Sequence, residues 1–133
     1  MRVVLDTNVV VSALIFPGGA PETVYRLALE SRVELVTSKP LLLELGRVLV
    51  AKFGWGSEQA EEAVAQVGRL GEVVTPGESV RVIADDPADD RVLEAGAAGA
   101  AMVIVTGDRH LLKLGAWRSI AIERPARFLE RFD

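Results

Sequence analysis

The 133-residue chain carries 15 Lys and Arg against 19 Asp and Glu, for a net charge of −4, and has no Cys. That length suits one domain burying roughly two thirds of its unfolded-chain surface, and the missing Cys excludes disulfides and thiolate metal sites, as fits an intracellular protein. The longest apolar stretch, Ala95 to Val105, is rich in Gly and Ala and falls short of the roughly 18 residues of a membrane span. Asp6 interrupts the first apolar run, which argues against a secretory signal, so the expected location is cytoplasmic with no membrane partner. The acidic balance argues against a polyanionic partner only in bulk. If Asp6, Glu44, Asp90 and Asp108 share a metal, the remaining charges cancel and bound divalent ions invert the potential of the cleft.

Apolar runs of strand character alternate with segments of helical period, the pattern of βαβ units around a parallel sheet of four or five strands. Arg2 to Asp6 is the first strand, followed by Thr7-Asn8 and a second apolar run, Val9 to Val11. Pro17-Gly18-Gly19-Ala20-Pro21 marks a turn before a helix with Val24, Leu27 and Ala28 on one face. Val33 to Thr37 alternates like a strand, and Ser38 with Pro40 starts a helix over Leu41 to Phe53. Leu41, Leu42, Leu43, Leu45, Val48 and Leu49 make that helix apolar nearly all round, which predicts little exposed face. Gly54-Trp55-Gly56 breaks the chain, Ser57 caps the next helix, and Ala60, Val64, Val67 and Leu70 form its stripe.

Val73-Val74 and Val80-Arg81-Val82 read as short edge strands around a Pro76-Gly77 turn. The acidic run Asp85 to Asp90 leads into a small-residue helix ending near Gly99. Met102 to Val105 is a buried strand ending in Thr106-Gly107-Asp108. Ile120 to Ile122 reads as a last strand, and Pro125 to Phe132 as a closing helix with Phe128, Leu129 and Phe132 inward.

Asp6 and Asp108 follow parallel strands, so both emerge on the sheet edge where loops splay apart and ligands bind. A buried acid there needs a partner, a metal ion before others; the plainer reading is that each caps a helix or shapes a turn. Glu44 is either a solvent-stripe residue with Lys52 or a carboxylate aimed into the crevice, and pattern leans towards the former. Asp86 fits an N-cap before Pro87. Asp89 and Asp90 fall in the first turn, where the helix dipole favours anions, and spacing alone leaves open which faces the crevice; Asp85 and Asp89 read as solvated. His110, alone in a polar turn, reads as solvent-facing, and without a Gly-x-Ser-x-Gly elbow the case for nucleophilic hydrolysis is weak. No glycine fingerprint follows the first strand, so neither a dinucleotide site nor a P-loop is present.

Taken in order, Asp6-Thr7-Asn8-Val9, Leu42-Leu43-Glu44-Leu45, Asp90 at a helix start and Thr106-Gly107-Asp108 resemble the PIN domain nucleases, in particular the VapC-like toxins of prokaryotic toxin–antitoxin systems. The match spans essentially the whole chain, including Val11-Ser12-Ala13-Leu14 and Phe16-Pro17-Gly18-Gly19. The resemblance implies a three-layer α/β/α fold with a central parallel sheet, one nuclease domain over residues 1–133, and Mg²⁺- or Mn²⁺-dependent hydrolysis of RNA phosphodiesters. It makes Asp6, Glu44, Asp90 and Asp108 the catalytic, metal-holding acids, with Asp90 preferred to Asp89 on its distance from Thr106-Gly107-Asp108. Asn8 and Thr106 match supporting polar positions. Carboxylate oxygens suit hard divalent ions. The substrate implied is single-stranded or loop RNA, with Arg47, Lys52, Arg91 and Arg109 as candidate phosphate contacts and Trp55 and Trp117 as candidate stacking residues. A homodimer and a cognate antitoxin are the implied protein partners.

Other classes compete. A haloacid-dehalogenase-like phosphatase expects a second Asp where Asn8 stands, and an aspartyl-phosphate receiver expects paired N-terminal acids and a later Lys where Thr106-Gly107-Asp108 lies. A degenerate PIN-like binding module would have no use for mutually repelling carboxylates.

Overall fold

Two-residue periodicity in the strands sorts the apolar side chains into two layers. In β1 (Arg2–Leu5) Val3 and Leu5 join one core cluster and Val4 the other; in β4 (Val103–Val105) Val103 and Val105 join the first and Ile104 the second. Strands buried on both faces are the mark of a parallel sheet covered by helices on each side. The computed structural model describes residues 1–83 and 86–132, so Asp85 lies outside the described residues.

The sheet adds β2 (Glu34–Ser38), β3 (Glu72–Val74), β5 (Ala116–Trp117) and β6 (Ile120–Glu123) in the order β3-β2-β1-β4-β6-β5, and every pairing is parallel except β5 with β6. Six strands stand where four or five were expected, the difference being the two-residue antiparallel edge β5. Val80 to Val82 form no strand. The Val80 N–H donates to Glu94 Oε2 at 2.9 Å, and the Val82 and Ile83 N–H groups donate to Asp90 Oδ1 at 3.0 and 2.9 Å, so side-chain carboxylates take the place of a ladder.

One face is covered by α1 (Thr7–Ile15), α2 (Ala20–Leu29), α3 (Lys39–Phe53), α4 (Ser57–Leu70) and α7 (Pro125–Leu129), the other by α5 (Pro87–Ala98) and α6 (Arg109–Leu114). This is a three-layer α/β/α arrangement. The β-branched run Val9 to Val11 favours a strand by propensity, yet it lies in α1 because Val9, Val10, Val11 and Ala13 are all buried in tertiary contacts. Ser38 Oγ accepts the Leu41 N–H at the start of α3, and left-handed Gly54 ends it. Asp86 accepts the Ala88 N–H at 3.1 Å with Pro87 as the first residue of α5. At the other end of α5, a Cβ on Gly99 would stand 2.3 Å from Val36 Cγ1, so only glycine lets this helix lie so close to β2.

The expectation that α3 has little exposed face is corrected: Leu43 is 64% exposed, and Val50 and Phe53 are also exposed. Leu43 and Val50 border a groove against α4 that includes Gly46 and Val64. No helix among the described residues is long and apolar enough to cross a membrane.

Candidate metal centre

The chain runs from β1 through β2 to β3 on one side and from β4 to β6 on the other, so the order reverses between β1 and β4. A crevice opens at the carboxyl ends of strands at such a switch point. Leu5 pairs with Val105, and the Asp6 N–H donates to the Val105 carbonyl at 2.9 Å, so Asp6 and Thr106 leave the sheet side by side. Thr106 Oγ1 donates to Asp6 Oδ2 at 2.7 Å and accepts the Asp108 N–H at 2.9 Å. A single buried hydroxyl thereby ties both strand-end acids together. Asp108 Oδ1 in turn accepts the N–H groups of His110 and Leu111 at 2.8 and 3.2 Å, capping α6. The cap reading and the crevice reading of Asp108 therefore both describe it.

Asp89 reaches the same place from α5. Its side chain is 8% exposed, its Oδ2 is buried with no hydrogen-bond partner, and the Nδ1 atom of His110 lies 3.9 Å away. Single ligand atoms of Asp89, Asp108 and His110 all fall within 4.8 Å of one another. Glu44, half-buried on α3, borders the group and its charge acts on Asp6.

The titration of these acids follows from their crowding. Burial pushes the Asp89 carboxyl up to about 8, with the neighbouring Asp108 charge adding to it. Burial raises Asp6 to about 6; the Thr106 hydrogen bond opposes the rise, and Glu44 and Asp108 add to it. Glu44 is raised mainly by burial, against an opposing pull from Arg47. No cation is among the influences on Asp6 and Asp89, whose neighbours' charges add to the effect of burial. A buried, unpartnered carboxylate oxygen beside Asp108 and His110 fits a divalent cation, with Asp6 and Glu44 near enough for their charges to act on the group.

Asp90 is not part of this group. Its Oδ1 is taken by the Val82 and Ile83 amides, and it borders a separate hollow with Ser79 and Arg91. Successive helix residues project about 100° apart, so the two adjacent acids of α5 face different surroundings. The expectations that placed Asp90 in the cluster and Asp89 in solvent are both corrected on this point. A trace of the answer lay in the spacing: Asp90 and Glu94 stand four apart on one helical face, and both carboxylates receive amides from residues 80–83.

Asn8 is exposed and lines a cleft of about 340 Å³ with Ser12, Gly107 and Arg124. Sequence reasoning missed Arg124, which has no candidate metal-holding acid near it in the chain to draw attention to it. Arg47 and Lys52 are exposed on α3, close enough to act on Glu44. Arg91 is engaged with Glu94, Nη2 to Oε2 at 2.9 Å. Arg109 is exposed beside His110 and Lys113. Trp55 and Trp117 pack against the two core clusters, and Arg118 stacks over the Trp117 ring at 4.3 Å.

A mostly parallel sheet that gathers carboxylates at its switch point defines an α/β domain suited to a divalent cation. The chain belongs to the PIN domain family, which it matches over residues 2–110. It is also similar to an uncharacterized protein of Methanocaldococcus jannaschii, 27% identical over 145 aligned residues that span 100% of this chain and 92% of that protein. PIN domains are typically nucleases that use divalent metals.

Proposed function

We propose that this protein is a Mg²⁺- or Mn²⁺-dependent endoribonuclease of single-stranded or loop RNA, acting as one domain over residues 1–133. The observation that carries the reading is the buried, unpartnered Asp89 Oδ2 beside Asp108 at the switch point of a PIN fold. Asp6, Asp89, Asp108 and Glu44 are the acids we assign to the metal, with Asp89 in the place that spacing gives to Asp90. A divalent cation held there supplies Lewis-acid polarisation of a phosphate oxygen and activation of water at neutral pH.

The chain's own residues contribute position and charge. Thr106 holds the Asp6 carboxylate in one orientation through its 2.7 Å hydrogen bond, so little reorganisation remains when substrate arrives. Arg47, Lys52, Arg109 and Arg124 are exposed cations, two of them close enough to act on Glu44, and suit the flanking phosphates of a single strand. The cleft between Asn8 and Arg124 has room for a nucleotide next to the scissile bond. Splayed single-stranded RNA can lower a phosphate into such a crevice where a stacked duplex cannot.

A toxin role, with a cognate antitoxin blocking the cleft and a cytoplasmic site of action, is the biological setting we assign. The exposed apolar residues Leu43, Val50 and Phe53 offer a surface for a homodimer partner. The test is cleavage of a panel of labelled single-stranded RNAs with Mg²⁺ or Mn²⁺. Metal-dependent cutting that disappears in Asp6→Asn and Asp89→Asn supports the reading, and equal cutting by the variants overturns it. A short upstream reading frame encoding a DNA-binding protein would separate a toxin from a housekeeping nuclease.

A further inference from the structure

His110 does not face solvent in the way its isolation in the sequence suggests. Its ring is 32% exposed, and the Nδ1 atom is buried without a hydrogen-bond partner. Nδ1 lies 3.9 Å from Asp89 Oδ2 and 3.9 Å from Asp108 Oδ1, beyond hydrogen-bond range. Asp89 Oδ2, on a side chain that is 8% exposed, is equally unpartnered. Buried polar atoms are almost always satisfied, and two that face each other across a gap call for something between them. The His110 main chain is anchored beside the site, because its N–H is one of the two donors that cap onto Asp108 Oδ1.

We infer that His110 Nδ1 is a nitrogen ligand of the metal centre, completing a face with Asp89 and Asp108, and that it biases the site towards Mn²⁺ over Mg²⁺. This rests on the metal-dependent nuclease reading above and adds to it a donor and a selectivity that carboxylates alone do not provide. The three ligand atoms lie within 4.8 Å of one another, and bonds of about 2.0–2.2 Å to a shared ion require them to close by about one to two ångströms. Mg²⁺ takes oxygen donors and keeps its waters, whereas imidazole adds affinity for the first-row transition ions. A nitrogen at this vertex therefore strengthens Mn²⁺ binding and leaves Mg²⁺ binding almost unchanged.

The test is pulsed electron paramagnetic resonance of the full chain loaded with Mn²⁺ alone, which detects a directly bound imidazole through its ¹⁴N coupling. The wild type should show that coupling and His110→Gln should lack it. In competition titrations the Mn²⁺ affinity of His110→Gln should fall on the order of tenfold or more, with Mg²⁺ affinity close to that of the wild type. Bound Mn²⁺ without ¹⁴N coupling in the wild type would overturn the ligand assignment and leave the carboxylate centre standing, as an ordinary His–Asp ion pair would. Failure of the folded wild type to bind Mn²⁺ at all would overturn both readings. The wild-type spectrum decides the question even if His110→Gln does not fold.

Discussion

The two flanks of α5 carry acids of equal burial and opposite circumstances. Asp89 and Asp90 are 5% and 4% exposed. On one flank Asp90 and Glu94 accept the backbone N–H groups of Val80, Val82 and Ile83, and Arg91 pairs with Glu94. On the other, Asp89 meets Asp108, Asp86 and Asp6, and its Oδ2 has no donor. The first flank is a fastening, in which carboxylates substitute for a strand partner and tie an irregular segment to the helix. The second gathers negative charge with nothing to balance it. Buried acidity alone therefore does not mark a reactive site; what sets Asp89 apart from Asp90 is a buried carboxylate oxygen that no donor reaches.

The strongest way to break this contrast is to neutralise each acid in turn. Asp89→Asn should lower metal-dependent RNA cleavage by about 10³-fold, since a metal's transition-state stabilisation amounts to several kcal/mol. Asp90→Asn should leave cleavage by the folded protein near the wild-type level. Loss of cleavage in a fully folded Asp90→Asn variant would collapse the distinction between the flanks.

Stability should respond in the opposite sense. Asp90→Ala strands two amide donors at once and should cost about 2–3 kcal/mol in denaturant unfolding, whereas Asp89→Ala relieves crowding and should cost little or nothing without metal. The pH dependence sharpens the point. Asp6 and Asp89 both titrate above their ordinary carboxylate values, at about 6 and about 8, so the folded state holds their protons more tightly than the unfolded chain. The stability this confers is fully present below about pH 4 and is lost as pH rises through the folded values. The metal-free protein should therefore melt at a lower temperature at pH 8.5 than at pH 5. Added Mn²⁺ should raise the melting temperature more at pH 8.5, where the ligands are already deprotonated, and Asp89→Asn should flatten much of the metal-free decline.

Smaller effects are expected at the edges of the site. Thr106→Val removes the donor to Asp6 and the acceptor of the Asp108 N–H; it should cost about 1–2 kcal/mol and move the Asp6 titration above its present value of about 6, read by carboxyl ¹³C chemical shifts. Smallest of all, Arg91→Ala breaks a partly exposed pair with Glu94 and should change stability by less than about 1 kcal/mol. Because Arg91 is engaged there, RNA affinity should survive its loss but weaken in Arg109→Ala, as filter binding would measure.

Features written in local pattern were legible in the chain itself. An apolar run ending in a polar residue located Asp6, Thr106 and Asp108. Ser38 and Asp86 with its following proline announced the starts of α3 and α5, because caps and strand ends depend on a few neighbouring residues. Local pattern misled where a distant partner decided the outcome. Val80 to Val82 have strand-like residues, but the Val80 and Val82 amides are claimed by Glu94 and Asp90. Val9 to Val11, an apolar run of β-branched residues, form part of α1, because burial outweighs propensity. Leu43 looks like core and is exposed beside α4.

By itself the sequence determined the alternation of strands and helices, the two strand-end acids and the exclusion of thiolate and nucleotide-loop chemistry. Those properties follow from residue type and period. Only the tertiary structure decided that α5 turns Asp89 towards Asp108 and Asp90 towards residues 82–83, that Glu44 borders the crevice, and that His110 Nδ1 is buried between two carboxylates. Each of these depends on how far a helix is rotated about its axis against the sheet. For α5 that rotation is set by the packing of Val92, Leu93 and Gly99 on strands distant in the chain.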